Sequence, residues 1–493
     1  MSVPIRWANA VSSPFPVSGA AAAPVESLYI HVPFCAHKCE YCAFYSGPAS
    51  GDLIQRYVQA LIRELELIAP DCRPKTLFFG GGTPSLLNLR QWESVLTTLH
   101  RLGLGGAAEF SVECNPATVS ADKAALLRSF GVNRISMGVQ SLDEALLDRL
   151  GRVHSRDMVF RSHDILRAAG FDNLNIDLMF AIPGQTMEIW NRTLDEALAL
   201  GTEHLSCYEV IYEEDTPLYE QLKAGQCDVD DDLAADQYEV LYDRVGAAGF
   251  GPYEVANFAR RRRVGESVDR PEAEPGIPAF ACRHNVGYWR GRDSYGLGPS
   301  ASEWVRGLRS RNWSNTILYC EQLEKGRRAK EFAEALPPLA RAGETAAFGL
   351  RMNAGWPWDE FQTRTGFDLR TEWSGELANL ISRGWAESTP THFRLTRAGL
   401  RFADAVTRGR SVGRCRRWLG APQKIAADRA WAGARSGTDQ PHSRARSAKA
   451  SPSPRFPAGD GSGPRSVNMR DRPHRRGQQQ RFGPSKRASA AWA

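Results

Sequence analysis

Between residues 27 and 250, short apolar runs rich in branched and aromatic residues alternate with longer segments whose apolar positions recur every three or four residues. The runs SLYIHVPF, KTLFFGG, EFSVECN, NRISMGVQ, LNIDLMFA and HLSCYEVI read as strands, and DLIQRYVQALIRELELIA and MEIWNRTLDEALALG read as amphipathic helices. Strand–helix repetition of this kind predicts a parallel α/β architecture. Six units suit an open, partial (β/α)6 barrel better than a closed barrel of eight. Polar and glycine residues cluster at the ends of these strands, where barrel enzymes place their chemistry.

After about residue 330 the pattern changes. WDEFQTRTG and TEWSGELANLISRG read as helices, WAESTPTHFRLTRAG as a hairpin and LRFADAV as a closing helix, the order of a small winged-helix-like α+β domain. The expected division is a disordered leader (1–26), the barrel (27–250), a barrel extension (251–330), the C-terminal domain (331–407) and a disordered tail (408–493). A chain of 493 residues is too long for one typical core, which agrees with two domains plus appendages.

Charge sharpens that division. From Arg408 onward 20 Lys or Arg face 4 Asp, so the tail carries +16 of a net +6 and residues 1–407 carry −10. The tail has few branched aliphatics and many Arg, Gly, Pro and Ser, a composition that cannot bury enough surface to fold. Its readings are a nucleic-acid-binding arm, or a solvated extension or out-of-frame read-through; the second pair is the blander and the preferred one. Winged helices often bind DNA, but an acidic body argues for a structural role and against specific nucleic-acid binding. ARRRRVGESVDRPEAEPGIPA is expected to form a solvated, charged loop. Residues 1–26 lack the apolar core of a secretory signal, no stretch approaches a membrane span, and the ten cysteines point to a reducing cytoplasm where thiols serve metals.

Three of those cysteines carry the most information. Cys35, Cys39 and Cys42 in SLYIHVPFCAHKCEYCAF have CxxxCxxC spacing. Three thiolates can hold three irons of a [4Fe–4S] cube and leave the fourth iron open to a small molecule. A zinc knuckle is the bland alternative, but structural zinc takes four closed ligands and only His31 and His37 lie nearby. GGGTPS, residues 80–85, follows the second strand, where glycine lets backbone approach a ligand closely. Glu113, Gln140, Arg152 and Asp177 stand at or just past successive strands and converge on one barrel mouth; each alone could be a cap or an ion-pair partner.

These residues resemble the radical S-adenosylmethionine (SAM) superfamily, which implies the same partial barrel. The resemblance implies a [4Fe–4S] cluster on Cys35, Cys39 and Cys42 whose open iron chelates SAM, and one-electron cleavage of SAM to methionine and a 5′-deoxyadenosyl radical. It also implies that Gly81, Gly82 and Thr83 hold the SAM amino group, that Glu113, Gln140, Arg152 and Asp177 contact SAM, and that Tyr29 and Tyr41 contribute ligand contacts; either tyrosine could instead be packing.

Within that superfamily YIHVPFC, GGGTPS, SMGVQS, DLMFAIPGQT, YEVANFA and GLGPSA resemble the oxygen-independent coproporphyrinogen oxidases and their relatives, the HemW-type haem chaperones, over about residues 27–407. Two features separate these groups. The oxidases continue the cluster motif with another Cys two residues on, where this chain has Phe44; and RHNVGYW, with His284, Asn285, Tyr288 and Trp289, resembles the chaperones' HNxxYW signature. The implied function is haem binding, with His284 as axial ligand and Cys282 as the second choice, and delivery of haem to an acceptor, plausibly a membrane-associated respiratory enzyme. The alternative is radical decarboxylation of coproporphyrinogen.

Overall fold

The computed structural model describes residues 23–48, 50–261, 276–404 and 406. The tail, most of the leader and the core of the charged loop fall outside the described residues.

Six parallel strands form the centre of one sheet: β1 (Val25–Val32), β2 (Cys72–Gly81), β3 (Glu109–Cys114), β4 (Arg134–Gln140), β5 (Leu174–Phe180) and β6 (His204–Glu209). The six strands expected from the apolar runs are all present. The sheet is nevertheless nine-stranded. β7 (Phe250–Pro252) and β8 (Asn257–Arg260) add an antiparallel pair beside β6, and β9 (Tyr295–Leu297) lies parallel to β1 at the other edge, giving the order β9-β1-β2-β3-β4-β5-β6-β8-β7. Three-residue strands carry too little pattern to be read from sequence. β1 also begins two residues inside the expected leader, because Val25 is buried and pairs with Cys72.

Helices follow the strands: α1 (Gly51–Ile68), α2 (Leu89–Arg101), α3 (Ala121–Ser129), α4 (Glu144–Arg149), α5 (Arg156–Ala168), α6 (Met187–Ala199), α7 (Pro217–Lys223) and α8 (Asp231–Ala247). All of these except α5 are capped at their starts by side chains; Asn88 and Gln91, for example, form a reciprocal capping box on α2. Apolar faces such as Tyr57, Leu61 and Leu65 of α1 and Trp92, Val95 and Leu99 of α2 pack on Leu28, Ile30, Leu77 and Phe79 of the sheet. Each such side chain contributes about 1.5–3 kcal/mol when fully buried.

The opposite face of the sheet is polar. Register aligns Ser27 with Thr76, Thr76 with Glu109, Ser111 with Arg134, Ser136 with Asn175, and Asn175 with His204. Since side chains alternate along a strand, these residues line one surface, the barrel lumen.

Helix α9 (Arg283–Trp289) closes the strand-start end of the lumen, and α10 (Thr316–Glu324) packs on α1. Beyond them α11 (Pro338–Gly349), α12 (Trp358–Thr365), α13 (Leu369–Glu372) and α14 (Ser374–Ser382) precede the hairpin of Ala386–Ser388 with His392–Leu395. This is the expected helix–helix–hairpin order, with Trp356, Phe361 and Phe393 in its core. α15 spans Arg397–Leu400, and Ala403, Asp404 and Val406 are helical again within the expected closing segment.

Candidate functional site

The strand-end mouth of the barrel gathers the cysteines. Cys35 ends a two-residue strand paired with Gly47–Pro48, and the loop between them is tied down by Glu40, whose N–H donates to Leu150 O and whose carbonyl accepts from Leu218 N–H. Cys35, Cys39 and Cys42 are free and half-buried. The Thr83 hydroxyl lies 3.6 Å from Cys35 Sγ, and Arg152 Nη1 lies 3.4 Å from Cys39 Sγ. Burial, with its thiol neighbours, pushes Cys42 up to about 11, so its proton leaves readily only to a metal. Among the described residues no three His, Cys, Asp or Glu converge closely enough for a single metal ion. Three cysteine thiols on one loop are the number a [4Fe–4S] cube takes from protein when one iron is left open, one fewer than structural zinc takes, so the donor set fits the cluster.

GGGTPS lies directly against this loop. Gly81 has φ +108°, and a Cβ there would stand 2.6 Å from the His31 ring; a Cβ on Gly82 would stand 2.6 Å from Phe34 O. Both positions therefore require glycine. Gly82 and Thr83 N–H donate to Val32 O and Phe34 O, and Gly81 N–H donates to Glu113 Oε2 at 3.1 Å. With the N–H groups spent, carbonyls are what this segment offers a ligand.

Four carboxylate, amide and guanidinium groups face the same space. Burial, reinforced by Asp177, raises Glu113 to about 8; burial also raises Asp177, against the pull of Asn175, Arg134 and Arg152. Arg152 donates to Gly138 O as well as to Cys39. Gln140 is held at φ +68°, beside a register shift between Gly138 and Gln140. A bulge and a left-handed non-glycine residue re-aim a side chain at a cost of order 1–3 kcal/mol. Tyr41 is buried amid Arg152, Cys39, Cys42 and Asp177. The Tyr29 hydroxyl meets His31 Nδ1 at 3.1 Å and its ring faces Phe78 and His284, which makes it the floor of the mouth.

His284 stands apart, at the opposite end of the lumen. It is 8% exposed, its Nδ1 is 3.2 Å from both the Ser27 and the Thr76 hydroxyl, and its ring centroid is 5.2 Å from Phe78. Burial lowers it to about 4, so the ring is neutral at physiological pH. Tyr288 and Trp289 face the other way and pack on Phe348 of α11, while Arg351 covers Trp289. Arg290 donates to Gly355 O and lies over Trp356. In this arrangement the motif is a packed joint between barrel and C-terminal domain. Cys282 is fully buried, and burial raises it to about 12.

The sequence reading missed the lumen residues that hold these groups, chiefly Glu109, Arg134, Asn175 and His204, all 2% exposed or less. The signal was present as polar residues at alternate positions of strands otherwise apolar.

Residues 29–197 match the radical SAM superfamily and residues 336–402 the HemN C-terminal domain. The chain is 32% identical to the haem chaperone HemW of Lactococcus lactis, over 77% of this chain and 96% of the relative, and 32% identical to that of Bacillus subtilis, over 78% and 98%. The solved coproporphyrinogen III oxidase of Escherichia coli superposes with a TM-score of 0.66 at 21% identity, over 79% of this chain and 91% of that one, which shows a shared fold. Matched along nearly the whole length of such relatives, with the radical SAM barrel and its C-terminal domain both in place, the chain belongs to the HemW haem chaperone family.

Proposed function

We propose that this chain is a haem chaperone: it holds one [4Fe–4S] cluster on Cys35, Cys39 and Cys42, binds SAM across the barrel mouth, and carries haem as cargo to an acceptor haemoprotein, a respiratory enzyme being the natural class. The observation that carries the reading is the mouth itself, where three unpaired thiols share one space with Gly81–Thr83, Glu113 and Asp177. The bound cluster and SAM would supply one-electron chemistry. The residues have simpler tasks. The carbonyls of GGGTPS and the carboxylate of Glu113 suit an ammonium, Asp177 suits hydroxyl donors, Arg152 suits a carboxylate or a thiolate, and Tyr41 and Gln140 wall the space. Phe44, half-buried where the oxidases carry a further thiol, leaves that position without a ligand for metal or substrate.

Haem iron would be taken by His284, whose neutral imidazole is a suitable axial ligand, and the cargo would reach it when α9 moves out of its joint. The test is to offer haem and coproporphyrinogen side by side to the anaerobically reconstituted protein with SAM and reductant. Stoichiometric haem binding with no protoporphyrinogen is expected, and H284A should shift the Soret band while leaving the cluster spectrum unchanged. Multiple-turnover decarboxylation would instead make the chain an oxidase.

A further inference from the structure

Asn175 on β5, His204 on β6 and Tyr253 just past β7 are 1%, 0% and 2% exposed. Their hydrogen bonds fix one another's direction. Asn175 Nδ2 donates to Asp177 Oδ1 at 2.6 Å and to Ser136 Oγ at 2.7 Å, so Asn175 Oδ1 is the atom 2.6 Å from His204 Nδ1. An amide oxygen only accepts, so Nδ1 carries the ring proton. A fully buried imidazole is cheapest when neutral; its Nε2 then accepts the Tyr253 hydroxyl proton, at 2.8 Å. The Tyr253 oxygen in turn accepts from Cys282 N–H at 3.3 Å. Every donor in the series points the same way. One chain runs from Cys282, the residue that opens α9, through Tyr253, His204 and Asn175 to the Asp177 carboxylate at the mouth.

The far end of the chain is the start of α9. In its seat α9 is held by Glu109, whose carboxylate accepts from Arg283 N–H and His284 N–H at 3.0 Å each. Seated, it buries His284 against Ser27, Thr76 and Phe78 on one side and covers Tyr288 and Trp289 with Phe348 on the other. Unseating the helix would withdraw the Cys282 N–H from Tyr253. Asp177 is also reached by Ser136 and lies near Arg134 and Arg152, but the series through Asn175, His204 and Tyr253 is what links it to the seated helix.

We propose that Asn175, His204 and Tyr253 are positioning residues that make the two ligands antagonistic: the seated helix keeps Asp177 set for SAM, and haem takes His284 only from the unseated helix. This rests on the function proposed above. Because coupling between sites is reciprocal, SAM must weaken haem binding by the factor by which haem weakens SAM binding, and couplings of this kind run from about fivefold to about 150-fold.

The test uses the full-length, cluster-loaded protein under anaerobic conditions without reductant. Haem is titrated by its Soret band with and without saturating SAM, and SAM by calorimetry with and without haem. The wild type should show a reciprocal antagonism of about tenfold. Y253F keeps the ring and deletes the hydroxyl; it should bind haem more tightly than wild type, bind SAM more weakly, and bring the coupling factor close to one. A merely structural role would weaken both ligands. Independently of any variant, SAM should slow amide hydrogen exchange in residues 282–286 of the wild type. Positive or absent coupling in the wild type, an unchanged factor in Y253F, or exchange in α9 indifferent to SAM would each overturn the proposal while leaving the chaperone reading intact. A D177N protein that binds SAM normally, or an H284A protein with an unaltered Soret band, would overturn the underlying site assignment, and the coupling with it.

Discussion

The two ends of this barrel are built on opposite plans. At the mouth, the cysteines are half-buried, Glu113 is a carboxyl raised to about 8, and Gln140 is held in a left-handed backbone. At the base, Glu109 caps α9, Ser27 and Thr76 flank His284, and the aromatics are covered by the C-terminal domain. The mouth combines half-buried thiols, a raised carboxyl and a left-handed residue, a concentration of perturbed groups that marks a functional site. The base ties α9 down through Glu109, Ser27 and Thr76, although Trp289 Nε1 and Arg134 Nε are buried there without a hydrogen-bond partner among the described residues. The motif that resembles the haem chaperones' signature therefore lies in a packed joint, which on the function proposed above opens to act, whereas the motif that resembles the superfamily's lies at the strand-end mouth.

The sharpest break between the two ends is chemical. Replacing Cys35, Cys39 or Cys42 by Ala removes one of three protein ligands and should abolish cluster iron and its charge-transfer absorbance while the base stays folded, so that haem still binds. Retention of about four irons per chain in any of the three would remove these cysteines from the site. The reciprocal variant is E109Q at the base. It leaves the α9 N–H groups and the buried Arg134 facing an amide, and breaking one side of a buried charged arrangement costs about 3–5 kcal/mol. Thermal stability should fall accordingly and α9 should exchange its amides faster, with iron content unchanged. Loss of the cluster in E109Q would show that the two ends do not fold independently.

The mouth was legible in the sequence and the joint was not, for a physical reason. Ligands to a cluster and close-approach glycines are dictated by local geometry, so CxxxCxxC and GGGTPS are contiguous strings. The six parallel strands were legible as well, because each is a run long enough to show its apolar face. Glu109, Arg134, Asn175 and His204 come from four strands and meet only through register; nothing in any one segment announces that they share a lumen. RHNVGYW was visible as a string, but its partners, Phe348 and Gly355, lie more than 55 residues away on the C-terminal domain. A motif names its residues and leaves unsaid what covers them. The short edge strands β7, β8 and β9 were missed for want of length.

The ends should also titrate in opposite senses. Glu113 is raised above its ordinary 4.5, so the stability it contributes is full below that value and is lost as pH rises through about 8. His284 is lowered, so its contribution is full above 6.5 and is lost as pH falls through about 4. In SAM-free protein, E113Q should therefore flatten the alkaline side of the melting-temperature profile and leave the acid side alone. An alkaline limb that persists in E113Q would mean that the raised carboxyl belongs to another residue.

The smallest effect separates strain from contact at a single residue. Gln140 combines a positive φ, a register shift and a side chain that lies with Arg152 over Gly138. Q140A deletes the side chain and keeps the backbone strain; Q140G deletes both. If the left-handed backbone is retained because the mouth needs that side chain, the two variants should lose SAM affinity equally. They should differ in stability, Q140G melting higher by the equivalent of about 1 kcal/mol because glycine meets no steric penalty at φ +68°. Equal melting temperatures would mean that the bulge, and not the residue in it, sets the strain. A SAM affinity unchanged in both variants would turn Gln140 from a ligand contact into a strand terminator, and the mouth would be walled on that side by Arg152 alone.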